Sequence, residues 1–373
     1  LVSLDIFRGA TIAGMILVND PGTWSAVYWP LDHAAWNGWT PTDLIFPFFL
    51  FIAGVSMTMS FASRARRGAT RGQLARHVAI RSLAIFAIGF FLNGFPHFHM
   101  STIRYTGVLQ RIAACYLIAG LLVIATARRA DREGFEARLS AIAVVMAVLL
   151  VGYWALMKFV PVPGYGVGNL TPEGNLGAYI DRALMLHHLW KPMWDPEGFL
   201  STIPAIATAL SGVLVGEWLR STRAPQRKFF GMLAIGAITM IIGRLLHGFF
   251  PINKNLWTST YVIFTSGFAM VVLAFCYWIA DIKGFRKWAM PLLVFGTNAI
   301  AAFTFATFVA KCSIVFHVMD DGQRTTWHGY VYDRFFEPLA NPINASLIFA
   351  VFFVVLCWIP MWLLYRRKIF IKV

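Results

Sequence analysis

His33 and Asp43 lie ten residues apart in the segment Pro30 to Phe51, Pro-Leu-Asp-His-Ala-Ala-Trp-Asn-Gly-Trp-Thr-Pro-Thr-Asp-Leu-Ile-Phe-Pro-Phe-Phe-Leu-Phe. A neutral imidazole accepts a proton, and a nearby carboxylate can orient its ring, so the pair suits general-base chemistry on a polar molecule arriving from water. No Lys or Arg falls between Asp32 and Asp43, so no cation within the segment neutralises the base. Two plainer readings stand beside this one. Trp24, Trp29, Trp36 and Trp39 can anchor an interfacial loop among lipid headgroups. Thr40-Pro41-Thr42-Asp43 also fits a capping box with Pro at the first helical position, so Asp43 is structural, catalytic or both.

Other polar residues interrupt apolar runs. A charge near a bilayer centre costs roughly 2.5–3.5 kcal/mol. Asp5 and Arg8 are three residues apart, on one helical face, where they can neutralise each other. Asn19 lies about 21 Å further along the same helix. Asp5, Ile12 and Asn19 recur every seven residues, so they share a face expected to point into a helix bundle. Such a face either lines a path for a long ligand or makes interhelical hydrogen bonds. Gln110-Arg111, Arg244 with His247, and Asn298 are further candidates; arginine's rigid fork suits phosphate.

The elements that position these residues are membrane helices. The 373 residues are 58% hydrophobic and 13% charged, with mean hydropathy +0.64, where soluble domains are about a quarter charged. The expected fold is an all-α polytopic membrane protein, one transmembrane domain over residues 1–373. A span needs roughly 20 apolar residues. About ten fit, over 4–20, 43–62, 78–95, 105–127, 139–160, 200–219, 229–249, 258–280, 289–311 and 343–365. The segments 63–77, 128–138, 220–228, 281–288 and 366–373 carry 20 Lys and Arg, and the alternate loops carry 8. The positive-inside rule then makes both termini cytoplasmic and the His33 loop external. It also accounts for most of the +15 net charge, and no nucleic-acid-binding motif accompanies that charge. Cys115, Cys276, Cys312 and Cys357 fall in or beside apolar runs, which implies no disulfide framework. No metal site is expected. The external loops 158–199 and 311–342 mix Gly, Pro, Asp, His and Trp, which suits either polar-ligand binding or plain connection.

Several blocks together resemble the heparan-α-glucosaminide N-acetyltransferase family. They are Ser-Leu-Asp-Ile-Phe-Arg-Gly (3–9), Asn19, His33 to Pro47, Gly107-Val-Leu-Gln-Arg111, Gly177-Ala-Tyr-Ile-Asp-Arg182 and Asp195-Pro-Glu-Gly-Phe-Leu-Ser-Thr202. Pro251-Ile-Asn-Lys-Asn-Leu-Trp257 and Asn298 extend the resemblance over nearly the whole chain. It implies a transmembrane acetyltransferase that takes acetyl-CoA from the cytoplasmic side and acetylates a glucosamine amine on the far side. The family's key histidine falls on His33, its supporting asparagine on Asn19 and its early aspartate on Asp5. A homodimer is expected largely on the same ground. The chain looks shorter than the lysosomal enzymes, without their lumenal domain and leading span, and its Asn19–His33 loop looks longer. Those departures point to a small amino sugar or cell-wall fragment as acceptor, in a prokaryotic plasma membrane.

On this reading His33 takes the amine proton or itself carries the acetyl group. Asn19 donates to the oxyanion or holds the ring, and Asp43 orients it. Asp5, Arg8, Gln110, Arg111, Arg244 and Asn298 are expected along the acetyl-CoA path. Trp36, Asn37, Asn253, Lys254 and Asn255 are expected around the sugar. No Gly-rich phosphate loop is present, so individual Arg and Lys side chains must hold the CoA phosphates. Arg64, Arg66, Arg67 and Arg71 are equally explained by topology. The alternatives are a polysaccharide O-acyltransferase and a glycan transporter or flippase.

Overall fold

The computed structural model describes residues 1–131, 134–320 and 322–371. The chain is an all-α polytopic membrane protein. Its helices are α1 (Val2–Asn19), α2 (Ile45–Arg66), α3 (Arg71–Gly94), α4 (Val108–Thr126), α5 (Leu139–Phe159), α6 (Leu176–Met185) and α7 (Phe199–Arg220). Then follow α8 (Pro225–Leu245), α9 (Ser259–Tyr277), α10 (Met290–Thr297), α11 (Ala299–Val315), α12 (Trp327–Val331) and α13 (Pro342–Arg366). Two small antiparallel hairpins, β1 (Arg129–Asp131) with β2 (Gly134–Glu136) and β3 (His317–Asp320) with β4 (Gln323–Thr326), sit in connecting loops.

Among the described residues nine helices are long and apolar enough to cross a membrane, and a bent pair supplies the tenth expected span. That pair departs from the sequence pattern. The apolar run around 289–311 is broken at Asn298, where α10 and α11 meet at 74°. Asn298 has φ −126° and ψ 40°, outside the helical region. Its side chain donates to the Ile369 carbonyl (3.1 Å) and accepts from the Ile371 N–H (2.8 Å). The break thus exchanges helix continuity for a buried anchor on the chain's last described residues.

α2 and α7 are the most deeply buried spans, packed on each other; α5 and α8 are among the most exposed. Where α2 and α7 meet, Gly54 of α2 faces the Ala209 backbone, and Gly212 and Gly216 of α7 face Phe51 and Thr58; these small residues let backbones approach where no water drives association. The packing of α1 on α10 is closer still. A β-carbon at Gly9 would fall 1.7 Å from the Leu292 carbonyl oxygen, and one at Gly296 would fall 1.9 Å from that of Asp5. Both obstacles are backbone, so neither can swing aside. Gly296→Ala is expected to cost about 1–3 kcal/mol, the usual scale for overpacking, read as a lower thermal midpoint in detergent. Gly152→Ala on α5, where a β-carbon meets nothing within 4 Å, should leave the midpoint unchanged or raise it.

Candidate active site

Two polar sites lie at opposite ends of α2. The first is built from the loop before it. A 3-10 turn over Pro41–Leu44 leads into the helix, and the Asp43 carboxylate is nearly inaccessible, at 2% exposure. One carboxylate oxygen accepts from the His33 ring at Nδ1 (2.7 Å). The other accepts from the Ala34 N–H (3.0 Å), the Thr40 N–H (3.0 Å) and the Thr40 hydroxyl (3.2 Å). Asp43 is therefore the reciprocal half of a capping box and the partner of His33 at once. With Nδ1 engaged, Nε2 is the ring atom left to accept a proton. The His33 side chain is 43% exposed, so a molecule from water can reach it.

A second loop closes on this one. The Gly38 N–H donates to the Ile252 carbonyl (2.8 Å), and Asn253 donates from Nδ2 to Asn37 (3.1 Å). Tyr261 donates its hydroxyl to the Asp43 carbonyl. The turn places Lys254 Nζ 3.1 Å from His33 Nδ1 and 3.2 Å from Nε2, with Asp43 Oδ1 at 3.6 Å. Burial pushes the Lys254 ammonium below the ordinary lysine range, while the Asp43 and Glu197 carboxylates pull it back. Asn255 makes no side-chain hydrogen bond among the described residues. Trp36 donates to the Leu170 carbonyl (2.8 Å) and meets Trp194 edge-on, tying the 158–199 loop to the site. Beside it, Arg104 bridges Asp195 and Glu197 under the Trp190 ring. Burial alone would raise Asp195, but the Arg104 hydrogen bonds and charge hold it below the usual carboxylate range.

Asn19 ends α1 and is exposed. Its side chain has no hydrogen-bond partner among the described residues, so the face shared with Asp5 and Ile12 runs from a cavity wall, through buried core, to an open surface.

The second site is a cavity of about 840 Å³ at the other end of α2. Asp5 and Arg8 line it from α1, paired at 2.8 Å. Arg8 also donates to the Gly296 carbonyl (3.0 Å) and to Ser56 (2.8 Å), which satisfies a carbonyl left free at the end of α10. α2 contributes Ser56, Ser60, Ser63 and Arg64, with Arg67 just beyond, and α3 contributes Gln73, His77 and Arg81. Both sets recur at helical spacing, a polar stripe that periodicity alone exposes. None of Arg64, Arg67 and Arg81 has an ion-pair partner among the described residues. The Tyr116 hydroxyl and Arg81 Nε in the same wall lack hydrogen-bond partners. The lining runs from Arg64 to Phe49, 15 residues of helix or roughly 22 Å. Phe49 is six residues short of Asp43, about 9 Å. A long, anion-tipped molecule fits this shape, its charge against the arginines and its far end toward Asp43.

The remaining expected ligand-path residues lie elsewhere. Arg111 donates to the Gly198 carbonyl (3.1 Å) and to Ser201, and lies against the Trp257 ring. Gln110 packs at Gly89 and Gly107. Both are on the first turn of α4, away from the arginine-lined end, and neither lines the cavity. Arg244 is exposed in the last turn of α8. Asn298 lies beside lining residues Thr297 and Ala299, but its side chain holds the Ile369–Ile371 backbone. Sequence reasoning left Arg81, His77 and Tyr116 out of its candidate site, and left Arg64 and Arg67 open between phosphate binding and topology.

Residues 1–247 match the family model described as "Heparan-alpha-glucosaminide N-acetyltransferase, catalytic". That stretch contains His33, Asp43 and most of the cavity wall. The chain is 31% identical over 351 residues to the Homo sapiens protein named heparan-alpha-glucosaminide N-acetyltransferase, covering 81% of this chain and 52% of that protein. It is 32% identical over 346 residues to the Mus musculus protein of the same name, covering 80% and 52%. The chain thus spans about half the length of these curated relatives.

Proposed function

This chain belongs to the heparan-α-glucosaminide N-acetyltransferase family, and from that premise we propose that it is a transmembrane N-acetyltransferase. It takes acetyl-CoA at the arginine-lined cavity and acetylates the amine of a glucosamine-type sugar at the His33 face. The observation that carries this reading is the arrangement along α2: a long basic cavity at one end and an Asp43-held imidazole at the other. Three arginines with no ion-pair partner among the described residues favour the phosphates of CoA, and Tyr116 offers its arm a hydroxyl unpartnered among the same residues. The Lys and Arg distribution supports placing the cavity mouth in the cytoplasm and His33 outside. A homodimer rests largely on the family.

Amine attack on a thioester needs an uncharged amine. His33 Nε2 accepts the amine proton as the C–N bond forms, and the imidazolium returns it to the CoA sulfur as the C–S bond breaks; alternatively Nε2 first takes the acetyl group, expelling CoA as the thiolate, and passes it to the amine. In both routes Asp43 holds the ring through Nδ1. Transfer requires the thioester to cross the roughly 9 Å of α2 between Phe49 and Asp43, where Phe46 packs edge-on against Trp257.

The test uses sealed vesicles of known orientation. Acetyl-CoA is supplied to one face, a panel of amino sugars to the other, and products are read by mass spectrometry. The expected result is an N-acetyl sugar only when acetyl-CoA meets the Arg64–Arg67 face. An O-acetyl product would favour the O-acyltransferase reading. Sugar crossing unmodified without acetyl-CoA turnover would favour a transporter.

A further inference from the structure

Lys254 faces the His33 ring more closely than it faces a carboxylate. Its Nζ is 3.1 and 3.2 Å from the two ring nitrogens and 3.6 Å from Asp43 Oδ1, and its side chain is only 18% exposed. The turn that presents it is fixed from within. Asn253 is fully buried, donates its N–H to Thr258 (3.1 Å) and accepts from the Leu256 N–H (2.8 Å). The Lys254 carbonyl accepts the Trp257 N–H (3.0 Å). A flexible surface lysine seeking a counterion needs none of this.

The imidazole therefore sits between opposite charges. A carboxylate at 2.7 Å favours the protonated ring, and a protonated ring is useless as a base. An ammonium beside both nitrogens acts the other way. The other charged groups around the pair come from three loops. Asp32 accepts the His33 backbone N–H and is exposed. Glu197 acts on Lys254, and both Glu197 and Asp195 are already engaged by Arg104.

We propose that Lys254 is a positioning residue for the base: it opposes the pull of Asp43 on the imidazole proton, so that the ring can be oriented by a carboxylate and still be free to accept a proton at Nε2. The functional meaning of this rests on the acetyl-transfer reading; the electrostatics do not.

The wild type, Lys254→Met and Lys254→Arg are compared in two ways. One is the acidic limb of acetyl transfer against pH. The other is the pH dependence of His33 modification by diethyl pyrocarbonate, followed by peptide mass spectrometry, which needs no turnover because the reagent attacks only the neutral ring. In Lys254→Met both profiles should move to higher pH by roughly one to three units, the scale of a close charge. Lys254→Arg keeps the cation and should stay near the wild type. Coincident profiles for wild type and Lys254→Met would overturn the proposal. Equal displacement in both variants would also overturn it, because packing rather than charge would then be responsible. If modification shifts as expected while the wild type transfers no acetyl group, the electrostatic role stands and the acetyl-transfer reading falls.

Discussion

His33→Ala is expected to lower acetyl transfer by roughly a hundredfold or more, the usual scale for a lost general base, with acetyl-CoA binding and thermal midpoint nearly unchanged. The separation of effects follows from the geometry. The ring is half open to water and contributes little packing, whereas Asp43 keeps its three contacts from Ala34 and Thr40 and so keeps α2 capped. The cavity begins about 9 Å further along the helix, so cofactor binding should not register the change. Turnover, binding calorimetry and a detergent melt on one preparation check all three. Near wild-type turnover would remove His33 from the mechanism. With activity lost in the variant, acid quench of the wild type with labelled acetyl-CoA and no sugar separates the two routes. Label on His33 supports the acetyl carrier; its absence supports direct transfer.

What the sequence disclosed depends on how local each contact is. Asp43 is ten residues from His33 and sits in a capping pattern, and Asp5 and Arg8 are one turn apart, so both pairs are visible in a linear reading. Lys254 reaches His33 across 221 residues. Its motif stood out, but nothing in the motif indicates that the ammonium meets a ring. The cavity was legible in principle from the spacing of Gln73, His77 and Arg81, and of Ser56, Ser60, Ser63 and Arg67. It was hidden because basic residues at the inner ends of spans are already required by topology. Arg111 shows the converse. A charge inside an apolar run suggested a ligand path; one of its nitrogens joins α4 to Gly198 and Ser201 at the start of α7 and the guanidinium lies on Trp257 before α9, while Nε and Nη1 have no hydrogen-bond partner among the described residues. The break at Asn298 was invisible to hydropathy because the residues on both sides are apolar. Only the asparagine itself, a poor helix former with its own backbone-bonding side chain, marked the place.

The cavity arginines supply the second large effect. Arg64→Ala with Arg67→Ala should weaken acetyl-CoA binding by roughly tenfold per side chain, since a hydrogen bond to a charged group is worth about 1.5–3 kcal/mol. Insertion should survive, because these are two of the 20 Lys and Arg in the five segments that the positive-inside rule assigns to one side. Loss of binding could still come from a disturbed helix end, so the phosphates themselves must be tested. S-acetylpantetheine carries the same thioester without them. It should bind wild type and double variant alike, weakly and with little dependence on salt. Acetyl-CoA bound to the wild type should weaken as salt rises, since exposed charges are screened within about 10 Å at 0.1 M, and that dependence should flatten in the double variant. Equal losses for both ligands would assign the arginines to structure. A retained salt slope would move the phosphate contacts to Arg8 or Arg81, deeper in the same wall.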